Sequence, residues 1–121
     1  MDRVVIENAL IESAGDCAPI IITGGAKGAD FLADDIACQR GWGRKVFQAD
    51  WHKHGKSAGP VRNMQMLAEG GAQLVIAFWD GKSTGTAHMI SIAQAAGLGV
   101  RVFGMDGTET NREGPLFGLM R

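Results

Sequence analysis

Apolar and polar positions follow two different periods along this chain, and the switches between them mark out its elements. Residues 2 to 14 set Val4, Val5, Ala9 and Ile11 among the polar Asn8 and Glu12. That spacing is nearer 3.6 than 2 and stops at Gly15, which predicts a short helix with a glycine at its C-terminal end. "PIII" (Pro19 to Ile22) is an unbroken apolar run entered by proline and closed by "TGG", the pattern of a buried strand in a parallel sheet. From Ala29 to Arg40 the stripe Ala29, Leu32, Ala33, Ile36 and Ala37 lies opposite Asp34, Asp35 and Gln39, a surface helix stopped at Gly41. "RKVFQAD" (Arg44 to Asp50) predicts a second strand, Ser57 to Glu69 a helix, and "LVIAF" (Leu74 to Phe78) a third strand. Thr84 to Ala96 predicts a helix stopped by Gly97, and "VRVF" (Val100 to Phe103) a fourth strand. Strands alternating with helices in this way predict an α/β fold, doubly wound, with apolar strands and helices on both faces. Met64, Met66 and Met89, at helical positions, are expected in the core.

Length and composition narrow the function classes. A chain of 121 residues fits one domain, 1–121, with a core that needs no metal or disulfide staple. Its last part, residues 104–121, reads as a polar loop with an apolar end, a tail that docks on the core or on another subunit. The formal charge of −1 provides no bulk field toward nucleic acid or an anionic membrane. Cys17 and Cys38 stand apart with no CxxC partner, which favours reduced, structural thiols. No apolar run approaches the roughly 20 residues of a membrane span, and the acidic, amphipathic N-terminus is unlike a signal peptide. The expected location is the cytoplasm. The outlying count is 18 glycines, about twice the usual ~7%.

Those glycines cluster where binding sites form in such sheets, outside the carboxyl ends of the strands. "TGGAKGAD" (Thr23 to Asp30) lies between a strand and a helix, so Gly24, Gly25 and Gly28 allow close backbone approach and helix N-terminal amides face outward. It is neither the full dinucleotide fingerprint, whose first glycine falls on Thr23, nor a Walker A loop, since Ile76 stands where the glycine preceding "GKS" is required. "FWDGKSTGT" repeats the arrangement: Gly81 and Gly85 with the hydroxyls of Ser83, Thr84 and Thr86, and Lys82. One hydroxyl serves as a helix cap; the surplus points to phosphate or ribose. "ADWHKHGKSAGPVRN" ends a strand at Asp50, 22 positions after Gly28, near where a Rossmann carboxylate meets a ribose. It continues through the basic segment His52, Lys53, His54 and Lys56 to Gly59 and Pro60, which lead into a helix offering Arg62, a fork for phosphate or carboxylate, and Asn63. His52 and His54 lack further ligands at metal spacing, so no metal site is expected. Trp51 and Trp79 each follow a strand, where an indole either stacks on a base or seals the core edge.

Together, "GGAKGAD", "ADWHKHGKSAGPVRN" and "FWDGKSTGT" resemble the YpsA-related branch of the SLOG superfamily, the Rossmann-like group named for DprA/Smf and the LOG proteins. The resemblance implies a three-layer Rossmann-like sandwich with a mainly parallel sheet that binds a nucleotide or nucleotide derivative, of the ADP-ribose or nucleoside monophosphate type. It is a group common in bacteria and their phages. By similarity the ligand-facing residues are Gly24, Gly25, Gly28 and Asp30, then Arg62 and Asn63, then Asp80, Gly81, Ser83, Gly85 and Thr86. Lys27, Asp50, Trp51 and Lys82 join them from the loops' own chemistry.

Two departures from the family pattern matter. LOG hydrolases carry a glutamate after "GT" where this chain has Met89, beside His88, which removes the group that would stabilise an oxocarbenium-like transition state or activate water. Members of the branch also open with an apolar strand, whereas this chain begins in the following helix, so the usual first strand is expected to be lacking. The leading expectation is therefore a binding or sensing domain with a small-molecule nucleotide partner. The alternatives are a nucleotide hydrolase using Asp80, His54 or His88 as acid or base, and a DprA-like single-stranded DNA binder, which the charge disfavours. The apolar tail and short chain make a homo-oligomer plausible.

Overall fold

The computed structural model describes residues 2 to 110. In chain order it forms α1 (Arg3–Ala14), β1 (Ile20–Thr23), α2 (Ala29–Arg40), β2 (Gly43–Val46), α3 (Trp51–His54), a 3-10 turn (Gly55–Ser57), α4 (Ala58–Ala68), β3 (Leu74–Phe78), α5 (Thr84–Ala95) and β4 (Gly99–Phe103). Most of the expected tail lies outside the described residues. The chain divides between Ala72 and Gln73 into two compact units, and each is described by itself.

In the first unit β1 and β2 pair in parallel, from Ile20 opposite Gly43 to Thr23 opposite Val46. The Phe47 amide extends the ladder by donating to the Thr23 carbonyl at 2.9 Å. Parallel strands end on the same side of their sheet, so the loops after β1 and β2 emerge next to each other. α2 packs on β1 and α1 on α2, with Ile6 and Ile36 both 0% exposed. Ion pairs clamp the two helices from outside, Arg3 to Asp35 at 2.6 Å and Arg40 to Glu7 at 2.8 Å. Half-exposed pairs of this kind contribute under about 1 kcal/mol each, so the buried isoleucines carry this layer.

Several expectations change here. β2 is exposed along its length and ends at Val46, four residues before the expected Asp50. Its sequence, GRKV, is not apolar, because among the described residues it has a strand neighbour on one side only. The segment after it turns helical at Trp51 because the Asp50 carboxylate accepts from the Lys53 amide at 3.0 Å and caps that turn. Pro60 lies inside α4, not ahead of it, within the first turn where a missing N–H forfeits no intrahelical bond. Met64, expected in the core, is 59% exposed. Both cysteines are free and exposed.

In the second unit β3 and β4 also pair in parallel, Leu74 opposite Gly99 through Phe78 opposite Phe103. Val75, Ala77, Val102, Phe103 and Ala93 of α5 are buried, and the Phe78 and Phe103 rings stack at 5.3 Å. Beyond β4 the chain turns back, and Glu109 bridges Phe103 antiparallel. Arg101 secures that turn with two bonds to the Glu109 carboxylate, at 2.9 and 2.8 Å. Both units are thus built on a short parallel strand pair, as an α/β pattern requires. No helix among the described residues is long and apolar enough to cross a membrane.

The fully enclosed Ile36 makes a direct test of the first unit's core. Ile36→Ala is expected to cost about 2–5 kcal/mol, the range for emptying a closed aliphatic site, read as a lower urea midpoint with unchanged slope.

Candidate functional site

The loop after β1 is organised by two side chains from elsewhere in the first unit. Arg62, on α4, donates from Nη1 to the Gly24 carbonyl at 2.5 Å and from Nε to Asn63 Oδ1 at 3.1 Å. A Cβ on residue 24 would lie 2.8 Å from Arg62 Cζ and 2.9 Å from Cδ, so a side chain there would push the guanidinium away from this contact. The carboxylate of Asp30, in the first turn of α2, accepts from the Gly24 amide at 2.9 Å and the Ala26 amide at 3.3 Å. Gly25 has φ +70°, and the Gln48 carboxamide occupies the space where its Cβ would be, at 2.7 Å.

These contacts show which of the expected ligand-facing groups are already engaged. Asp30 is spent on its own loop, and Asn63, 6% exposed, faces inward to steady Arg62. The Arg62 Nη2 group has no partner among the described residues. Gly28 adjoins open space, and α2 has no side-chain cap on its N-terminus, so amide donors there still face outward. Lys27 is exposed beside them.

The loop after β2 reaches the same sheet end. Asp50, expected at a ribose, caps α3 with one carboxylate oxygen. Trp51 is 61% exposed, with the rim of its ring beside Gly59 of α4, 3.7 Å from where a Cβ would stand. His52, Lys53 and Lys56 are exposed and His54 half-buried. Gln48 escaped the sequence reading, because a polar residue at a strand end carries no periodic signal.

In the second unit the Asp80 carboxylate accepts from the Lys82 and Ser83 amides, both at 2.8 Å. The Lys82 and then the Ser83 amide hold Asp80 below the usual carboxylate range. Ser83 caps α5, its hydroxyl accepting from the Thr86 amide at 3.5 Å and donating to the Thr86 hydroxyl at 3.3 Å. The Trp79 indole N–H donates to the Ser83 carbonyl at 3.0 Å. Gly81, Lys82 and Gly85 are exposed, and His88 and Met89 half-buried on α5. The neighbouring loop after β4 repeats the device: Asp106 accepts from the Thr108 amide at 2.9 Å, and its pKa is lowered by that bond. No group of three or more His, Cys, Asp or Glu suited to a metal ion occurs among the described residues.

Two outcomes test these geometries. Gly24→Ala is expected to displace the Arg62 guanidinium and cost no more than about 1.5–3 kcal/mol, the worth of a hydrogen bond to a charged group, and the cost is expected to shrink in an Arg62→Ala background, as a double-mutant cycle measures. For Asp80 the lowered pKa gives the sign. Its contribution to stability is full above the ordinary aspartate value, about 3.9, and is lost as pH falls through the lower folded value. The gap in Tm between the wild type and Asp80→Asn is therefore expected to be constant at neutral pH and to close on acidification.

Comparison with known proteins places these loops in a lineage. The family described as "YspA, cpYpsA-related SLOG family" matches residues 5–54, which include the loop after β1 and the Asp50–Trp51 turn. The Gene 61 protein of Mycobacterium phage D29 is 37% identical over 114 residues, spanning 85% of this chain and 87% of that protein. No solved structure matches the chain. The glycine loop, the Trp51 turn and the phage relative lead to one conclusion: the chain belongs to the YspA, cpYpsA-related SLOG family.

Proposed function

We propose that this protein binds a nucleotide or nucleotide derivative and works as a binding or sensing domain. The observation that carries the reading is a cluster at one end of the β1–β2 sheet. There, the open backbone at Gly28 and the uncapped start of α2 share the carboxyl edge with Arg62 and the exposed Trp51 ring. Amides and a guanidinium suit phosphate; an exposed indole suits a base. Membership of the SLOG family, which is linked to nucleotide-related ligands, supports the same class. The Asp80–Thr86 loop contributes exposed Lys82 and Gly81 at the carboxyl end of β3, a second surface of phosphate-binding character.

Binding is favoured over hydrolysis on two grounds. Met89 stands where the LOG hydrolases have a glutamate, and the carboxylate of Asp80, the other candidate in that loop, is held ionised by the amides of its own loop. A carboxyl group kept deprotonated cannot donate a proton to a leaving group near neutral pH.

A thermal-shift and calorimetry series with AMP, ADP-ribose, NAD and ribose 5-phosphate tests the proposal. At about a hundredfold excess over Kd, a ligand that binds only the folded state adds roughly 2.7 kcal/mol, a rise of several degrees in Tm. Arg62→Ala is expected to weaken binding of every phosphate-bearing member. A folded sample whose Tm and heat signal none of the four changes contradicts the proposal.

A further inference from the structure

Resting on that reading, we infer that the ligand carries an aromatic base and that Trp51 is the platform on which the base stacks. The chain has three tryptophans, and the structure separates them. Trp42 lies under the Arg40 guanidinium, 5.4 Å from the ring centre. Trp79 is tied through its indole N–H to Ser83. Trp51 alone is largely exposed, at 61%, and its N–H has no partner among the described residues.

The backbone that carries this ring is nonetheless fixed. Asp50 caps the turn with its side chain, the His54 amide donates to the Asp50 carbonyl at 2.9 Å, and the Gly55 amide closes onto the Trp51 carbonyl. The rim of the ring rests beside Gly59 of α4. An exposed ring on a mobile loop would cost loop ordering on binding, whereas the backbone that carries this one is set in advance.

Its place relative to Arg62 selects the ligand class. Gly59 and Arg62 are three residues apart and share one face of α4, separated by about 4.5 Å of helix rise. The ring thus rests against α4 three residues before the one that carries the guanidinium, open on its outer face, with Arg62 Nη2 unspent. A base on the indole and a phosphate on Arg62, joined by a ribose, match that order. A bare sugar phosphate would leave the ring uncovered.

Calorimetry of AMP and ribose 5-phosphate binding to the wild type, Trp51→Ala, Trp51→Phe and Phe31→Ala tests this assignment, with circular dichroism as the folding control. Phe31 is included because it is 66% exposed in the first turn of α2. The wild type is expected to prefer AMP, and Trp51→Ala to weaken AMP roughly five- to a hundredfold, the measured span for losing a base–aromatic stack. Trp51→Phe is expected to restore most of that loss, and ribose 5-phosphate to bind all variants alike. Equal loss for both ligands in Trp51→Ala, or loss of AMP in Phe31→Ala but not Trp51→Ala, overturns the assignment. A wild type that binds both ligands equally overturns it while leaving the proposed function in place. A wild type that binds neither overturns both.

Discussion

The contact of the Arg62 guanidinium with the backbone of Gly24 is the constraint on which the candidate site depends. It joins positions 38 residues apart, fastens the loop after β1 to α4, and occupies the space a side chain on residue 24 would fill. With the Gly24 carbonyl held from one side and its amide held by Asp30 from the other, the loop has little freedom to rearrange. Arg62 is itself positioned by the buried Asn63. Glycine is usually a source of flexibility, but here it permits a close contact that removes it.

A single device recurs in both units. After β1, β3 and β4 the chain turns through a loop in which an aspartate accepts from nearby amides: Asp30 from Gly24 and Ala26, Asp80 from Lys82 and Ser83, and Asp106 from Thr108. Loops at these positions would otherwise leave several donors unpaired. The consequence for function is specific. In the loop after β1, Asp30 occupies donors that an incoming anion would want and adds negative charge beside them. A phosphate at that loop is left the donors Asp30 does not reach, the α2 amides by Gly28 and the outer nitrogen of Arg62, with the exposed Lys27 in the same loop.

Much of this was legible in the sequence. α2 and α5 announce themselves through a 3.6-residue stripe and terminal glycines, and β3 through an apolar run of strand length. The glycine loops and their family resemblance were equally plain. What could not be read were features set by contacts distant in sequence or by competition among local bonds. Asp50 as a helix cap and Asp50 as a ribose ligand look the same in one dimension. The pattern therefore extends β2 beyond its end at Val46 and gives no sign of the helical turn at Trp51, which has no apolar period. Met64 fits a core stripe by spacing alone, yet the stripe does not say which face of α4 is covered. Nor does any local pattern show that Trp79 is tied down while Trp51 stands open.

Nucleotide engagement of the cluster at the carboxyl end of the β1–β2 sheet can be observed residue by residue. A heteronuclear NMR titration of the isotope-labelled protein with AMP resolves the amides of residues 24 to 30, the Arg62 side chain and each indole separately. Saturable shifts in those amides, in the Arg62 Nε–H and in the Trp51 indole, with the Trp42 indole unmoved, are the expected result. Shifts confined to the 80–86 loop, or none at saturating AMP, would contradict it.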